Sequence, residues 1–156
     1  MVVTLTAILA GALLSALVVK RTADRRELKR HSITPEALHG QLASAGHTLL
    51  YDVRHPLDLL GDSVIIPGAK WLDPRDVFEN PALLPKQQDV VVYCTCTSAK
   101  TSRAILHQAL ARGFSQIKFL KGGLQEWKAR GFPVERYRKP FRLDRDKSTA
   151  SATMTP

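Results

Sequence analysis

The sequence predicts an α/β domain, a parallel sheet with helices on both faces, behind one N-terminal transmembrane helix. Three observations carry this. From residue 34 onward, short apolar runs of strand length alternate with helical patterns, the mark of parallel βαβ units. Residues 2–19 form an eighteen-residue run without a charged side chain. The only two cysteines, Cys94 and Cys96, stand between a strand and a helix, at the end of a parallel strand where open α/β sheets bind ligands.

The apolar run, at about 1.5 Å rise per residue, spans roughly 27 Å, enough for a bilayer core. A cleaved signal peptide fits less well, because no basic segment precedes the run and no small-x-small site follows it. Residues 20–30 then hold six basic side chains against Asp24 and Glu27. The positive-inside rule therefore expects the N-terminus outside and the rest of the chain in the cytoplasm, where a static disulfide is not expected. Thr34-Pro35-Glu36 reads as an N-cap with proline at the first helical position, leading Ala37, Leu38, Leu42 and Ala43 to a stop at Gly46. Residues 48–53 read as a strand. Pro67-Gly68-Ala69 is a turn before a short strand near Trp71, and Asp73-Pro74 repeats the cap-plus-proline signal for a short helix through Phe78. Four apolar residues at 90–93 suit a strand buried on both faces. From Ser102 the pattern turns helical, with Ile105, Leu106, Ala109 and Leu110 on one face and Gly113 as the stop. Residues 117–120 form the next strand. Gly122-Gly123 opens a last helix that carries Leu124 and Trp127 and stops at Gly131. The chain thus divides into a membrane anchor (1–20), a basic juxtamembrane linker (21–31), the α/β domain (32–135) and a basic, disordered tail (136–156).

The net charge of +9 is uneven. Residues 20–30 carry +4 and residues 128–147 carry +5, while residues 31–127 hold nine basic and nine acidic side chains. Beside a membrane anchor, two basic flanks suit anionic lipid headgroups, and a membrane-protein partner is a further expectation. Nucleic acid is not expected, because the flanks hold no binding motif and only Tyr137 and Phe141 offer stacking. Ordinary solvated charge competes for the second flank. His31, His39, His47 and His107 have no metal-ligand spacing, and two thiolates with no histidine close in sequence argue against zinc. No metal site is expected.

The runs Tyr51-Asp52-Val53-Arg54-His55-Pro56, Ile66-Pro67-Gly68-Ala69, Val91-Val92-Tyr93-Cys94, Gly113-Phe114 and Leu120-Lys121-Gly122-Gly123-Leu124, followed by Trp127, occur in that order over residues 32–134. Together they resemble a rhodanese domain. The Cys-x-Cys loop and Arg54-His55-Pro56-Leu57-Asp58 resemble a subtype attached to bacterial membrane proteins. The resemblance implies a rhodanese-like three-layer fold around a five-stranded parallel sheet. It also implies a sulfurtransferase that passes sulfane sulfur from a small sulfur-containing anion such as thiosulfate, or from a persulfide, to a thiol or cyanide through a cysteine persulfide. No organic cofactor is implied.

The family loop has serine six residues after the cysteine and Gly-Phe eleven further on. Ser102 and Gly113 fit that count from Cys96, whereas the strand end points to Cys94. Cys96 is preferred as nucleophile, since a helix N-terminus lowers a thiol pKa. Cys94 remains as a resolving thiol or a small buried residue ending the strand. The substrate-binding loop then comprises Thr97, Ser98, Ala99, Lys100, Thr101 and Ser102. It departs from the family pattern: Thr97 or Ala99 stands where glycine is usual, Thr101 where arginine is usual, and Lys100 is the loop's only cation. Asp52 and Arg54 are expected to support the fold beneath the active face, and His55 to lie at the surface. Two other classes remain. A phosphatase needs arginine in Cys-x5-Arg, and Lys100 lacks its bidentate grip. A non-catalytic interaction module at the membrane is the stronger rival, although such modules commonly lack the cysteine.

Overall fold

The computed structural model describes residues 2–44, 47–95 and 99–140, with side chains from residue 14. The chain opens with α1 (Val2–Arg30), then β1 (Ser32–Ile33), α2 (Pro35–Ala43), β2 (Leu49–Asp52), α3 (Pro56–Gly61), β3 (Val64–Ile65), β4 (Lys70–Trp71) and α4 (Pro74–Glu79). A 3-10 turn (Pro81–Leu83) leads to β5 (Val90–Tyr93), α5 (Lys100–Ala111), β6 (Ile117–Leu120), α6 (Gly123–Ala129) and β7 (Glu135–Arg136). Five strands form one parallel sheet in the order β1-β6-β5-β2-β4, while β3 and β7 pair antiparallel as a separate ribbon.

Side-chain alternation along β5 divides the core in two. Val90, Val92 and Cys94 join Val77, Ile105, Leu106 and Ala109 on the α4/α5 face. Val91 and Tyr93 join Leu38, Leu124 and Trp127 on the α2/α6 face. Such an all-apolar strand is what burial between two helical layers requires. The expected three layers are present.

Local chemistry explains the helix ends. Thr34 Oγ1 accepts from the Ala37 amide at 3.3 Å and Pro35 is the first helical residue. Asp73 accepts from the Arg75 amide at 2.9 Å ahead of Pro74. Helix α2 ends at Ala43; the expected stop at Gly46 lies outside the described residues. Helix α5 begins at Lys100 rather than Ser102, because its first turn is polar and carries no apolar periodicity. The basic segment 20–30 is helical, continuing α1 without a break. Its end docks on the domain: Leu28 packs against the α4/α5 core, and Glu27 lies 3.6 Å from His107. The transmembrane expectation rests on residues 2–19, and the side chains of residues 2–13 lie outside the described ones. Among the described residues, no helix is long and apolar enough to cross a membrane.

Gly122 precedes α6 with φ +71°, and a Cβ there would meet Glu126 Cβ at 2.3 Å. Gly122→Ala therefore combines a left-handed conformation with a collision. It should destabilise the domain by about 1–3 kcal/mol, read from a shift in the urea midpoint at unchanged slope.

Candidate active site

β5 is the middle strand of the sheet, flanked by β6 and β2. The connection through α5 leads to β6 on one side, while β2 and β4 lie on the other. The carboxyl end of β5 is thus a topological switch point, where the loop leaving the sheet opens a crevice. That loop joins Tyr93 to Lys100.

Both ends of the loop are held. The Leu124 amide donates to the Cys94 carbonyl at 2.9 Å, and the Gln125 amide to the Thr95 carbonyl at 3.3 Å, so the first turn of α6 fastens the start of the loop. At the other end Ala99 is buried and left-handed, with φ 48° and ψ 32°. This is the conformation glycine takes freely, and alanine bears a cost of about 1–2 kcal/mol. Strain of this kind persists where the surroundings over-determine it, commonly at binding loops.

Ala99 gives α5 no side-chain cap, so the first-turn amides of a twelve-residue helix face the loop as donors. Two hydroxyls belong to these segments, Thr95 in the loop and Ser102 in the first turn of α5. Ser102 is fully buried, and neither its Oγ nor Thr95 Oγ1 has a hydrogen-bond partner among the described residues. Buried hydroxyls without partners are uncommon. Lys100, the first residue of α5, is exposed, and Thr101 is half-buried. Cys94 is 4% exposed and belongs to the α4/α5 core. Cys96, Thr97 and Ser98 lie outside the described residues. Of the expected site residues the structure thus describes Cys94, at the end of β5, and Ala99, Lys100, Thr101 and Ser102, at the start of α5.

Asp52 and Arg54 lie beneath the crevice, at the end of the neighbouring strand, both buried and 2.7 Å apart. Arg54 Nε donates to Asp52 Oδ2 at 2.9 Å, Nη1 to the Asp62 carbonyl at 2.9 Å and Nη2 to the Val64 carbonyl at 2.6 Å. The guanidinium therefore ties β2 to the chain that follows α3. Tyr93 completes the network: its hydroxyl accepts from the Ile66 amide at 3.1 Å and feels the Asp52 charge. Burial raises the Asp52 carboxyl above its ordinary range even against Arg54. Burial and the Asp52 charge push the Tyr93 hydroxyl well above its ordinary value. This pair braces the site and is not part of the crevice surface. His55 is exposed at the start of α3, and the nearby Asp73 carboxyl is held below its ordinary range against burial by Arg75.

Sequence reasoning did not identify Tyr93, whose phenol had a signal: a polar tip closing an aliphatic strand needs a buried partner. It also missed a pocket of about 390 Å³ beside the loop, lined by Thr95, Asp62, Leu124, Gln125 and Lys128. Lys128 Nζ meets Asp62 Oδ2 there at 2.9 Å. No cluster of metal-binding side chains occurs among the described residues.

Comparison with known proteins places this arrangement. A model of the Rhodanese-like domain matches residues 34–130. A protein named sulfurtransferase from Allochromatium vinosum is 29% identical over 104 residues, which cover 67% of this chain and 94% of that protein. The probable adenylyltransferase/sulfurtransferase MoeZ of Mycobacterium tuberculosis is 35% identical over 102 residues, 64% of this chain but only 25% of that protein. Among solved structures, the rhodanese-like domain of the Anabaena sp. Alr3790 protein superposes with a TM-score of 0.58 at 24% identity, covering 80% of this chain and 96% of that one. That last likeness concerns the fold alone.

Proposed function

The chain belongs to the rhodanese-like domain family, and on that premise we propose that it is a membrane-anchored sulfurtransferase working through a persulfide on Cys96. The observation that carries this reading is the first turn of α5, without a side-chain cap, at the end of a cysteine loop, with the Ser102 and Thr95 hydroxyls unpartnered among the described residues. Amide donors and a helix N-terminus favour thiolate over thiol.

The Cys96 thiolate attacks the outer sulfur of thiosulfate or another sulfane donor. The bond between the two donor sulfurs breaks and its electron pair leaves with the departing anion, sulfite in the case of thiosulfate. A thiolate acceptor or cyanide then attacks the outer persulfide sulfur, and Cys96 is released as thiolate. Both half-reactions balance without a cofactor. In this reading the α5 amides, preorganised for negative charge, are the donors to the persulfide anion, and the exposed Lys100 draws the anionic donor. Cys94, in the apolar core, packs at the end of the strand. Incubation with thiosulfate followed by peptide mass spectrometry tests this: one added sulfur on the Cys96 peptide is expected, and an unmodified loop refutes it.

The membrane part of the proposal draws support from α1. Leu14, Leu17, Val18 and Val19 are 50–66% exposed and, at 100° per residue, point to more than one side of the helix. Apolar side chains all round suit a hydrocarbon environment. The basic run 20–30 then assigns the domain to the cytoplasmic side, with anionic headgroups as its neighbours. Protease added outside intact cells should leave the domain whole, and digestion there would reverse the orientation.

A further inference from the structure

Elsewhere on the domain, several arginine and lysine side chains are matched with acids. Arg54 pairs with Asp52, Arg75 with Asp73, Lys128 with Asp62, and Arg130 with Glu36 and Glu126. Four other cations are gathered in one place. Lys70 on β4, Arg136 on β7, and Arg138 and Lys139 just beyond it line a single cleft of about 680 Å³. None of the four is in an ion pair among the described residues. Glu135 is the one acid of the lining, and its Oε1 accepts from the Gly68 amide at 3.3 Å. Like charges gathered from segments more than sixty residues apart in sequence repel one another unless an anion lies between them.

The cleft is built on fixed parts. β7 is held in register, Val64 opposite Arg136 and Ile65 opposite Glu135, and the Tyr137 amide donates to the Ser63 carbonyl at 2.9 Å. Trp71 donates from Nε1 to the Arg54 carbonyl at 2.9 Å, so the buried Arg54 brace also orients this indole. The Trp71 and Tyr137 rings meet edge to face at 6.4 Å and give the cleft an aromatic floor among its cations. The cleft lies at the β4 edge, two strands from β5 and its loop.

We propose that this cleft is a second binding site, for a phosphate-bearing ligand whose anion meets Lys70 and the three C-terminal cations and whose apolar body lies against Trp71 and Tyr137. Guanidinium groups match phosphate oxygens in pairs, and a net lining charge of +3 suits a multiply charged or clustered anion. A phospholipid headgroup and a free organic phosphate share this chemistry. The proposal is independent of the sulfur chemistry.

The test uses the full-length chain in neutral maltoside micelles, with tryptophan emission as readout; Trp127 is buried and contributes a constant background. One series adds inorganic pyrophosphate, and a second dopes the micelles with phosphatidylglycerol. A saturable change with either probe is expected, absent in Trp71→Phe and shifted roughly tenfold or more to higher concentration in the Lys70→Ala/Arg138→Ala variant, whose exposed side chains leave the core untouched. Saturation with pyrophosphate identifies a free phosphate as sufficient. A response to phosphatidylglycerol alone identifies the lipid headgroup. No change with either probe, or an unmoved midpoint in the double variant, overturns the site.

Discussion

Cys96→Ser is expected to abolish sulfur transfer, with no sulfur gained from thiosulfate and no thiocyanate formed with cyanide as acceptor. A serine hydroxyl cannot form a persulfide, so the loss is of the whole covalent route rather than of one stabilising contact. The contrasting variant is Cys94→Ser. Cys94 is buried among Val92, Ile105 and Leu106 on the α4/α5 face, so its replacement sets a hydroxyl in an apolar layer at a cost of about 1–3 kcal/mol, while the first half-reaction persists. Rates and melting curves on both variants separate the two effects. Full activity in Cys96→Ser with loss in Cys94→Ser would show that the end of β5, not the start of α5, sets the reactive position.

Arg54→Ala should have the largest effect on stability, about 3–5 kcal/mol, measured by urea unfolding. It deletes the donors to Asp52, Asp62 and Val64 and leaves a buried carboxylate uncompensated. The pH dependence gives a second check. Burial, the largest influence on Asp52, raises its carboxyl above the ordinary range in the folded protein. A raised folded pKa contributes stability that is fully present below the unfolded pKa and is lost as pH rises through the folded one. Without Arg54, burial acts with less opposition and the window widens upward. The destabilisation by Arg54→Ala should therefore shrink as the solution is acidified. A defect that is constant with pH would mean that Asp52 does not carry it. The Asp52→Ala/Arg54→Ala double variant should unfold less readily than Arg54→Ala alone, because no orphan charge remains.

Features written in local chemistry were legible from the sequence. Thr34-Pro35 and Asp73-Pro74 start helices as expected; Gly113 and Gly131 follow helix ends with positive φ, and residues 90–93 form a strand buried on both sides. Features that depend on distant partners were not. β3 and β7 are two residues each and exist because Val64 meets Arg136, a pairing no window of sequence contains. Helix α3 has six residues, too few to show a period, and two of its leucines, Leu57 and Leu60, are exposed. The segment 20–30 reads as a charged linker because its charges outweigh any apolar face, yet its arginines, lysines and glutamate are good helix formers and Leu28 finds the core. At the site, the crevice and its loop were legible from the change of period between Tyr93 and Lys100. The left-handed Ala99 and the tie from α6 to the Cys94 carbonyl were not, since both are set by packing across the sheet.

The continuity of α1 from Val2 to Arg30 has a mechanical meaning. A flexible tether lets a domain sample a hemisphere of positions, but an unbroken helix with its last turn seated on the core works as a shaft. The eleven residues from Lys20 to Arg30 make it about 16 Å long beyond the apolar run, and each residue carries a phase of about 100°. One residue added or removed there would be transmitted as a swing of the crevice around the helix axis, where a coil would absorb it as slack. The heading of the crevice is then encoded in the length of this basic stretch as firmly as in its composition.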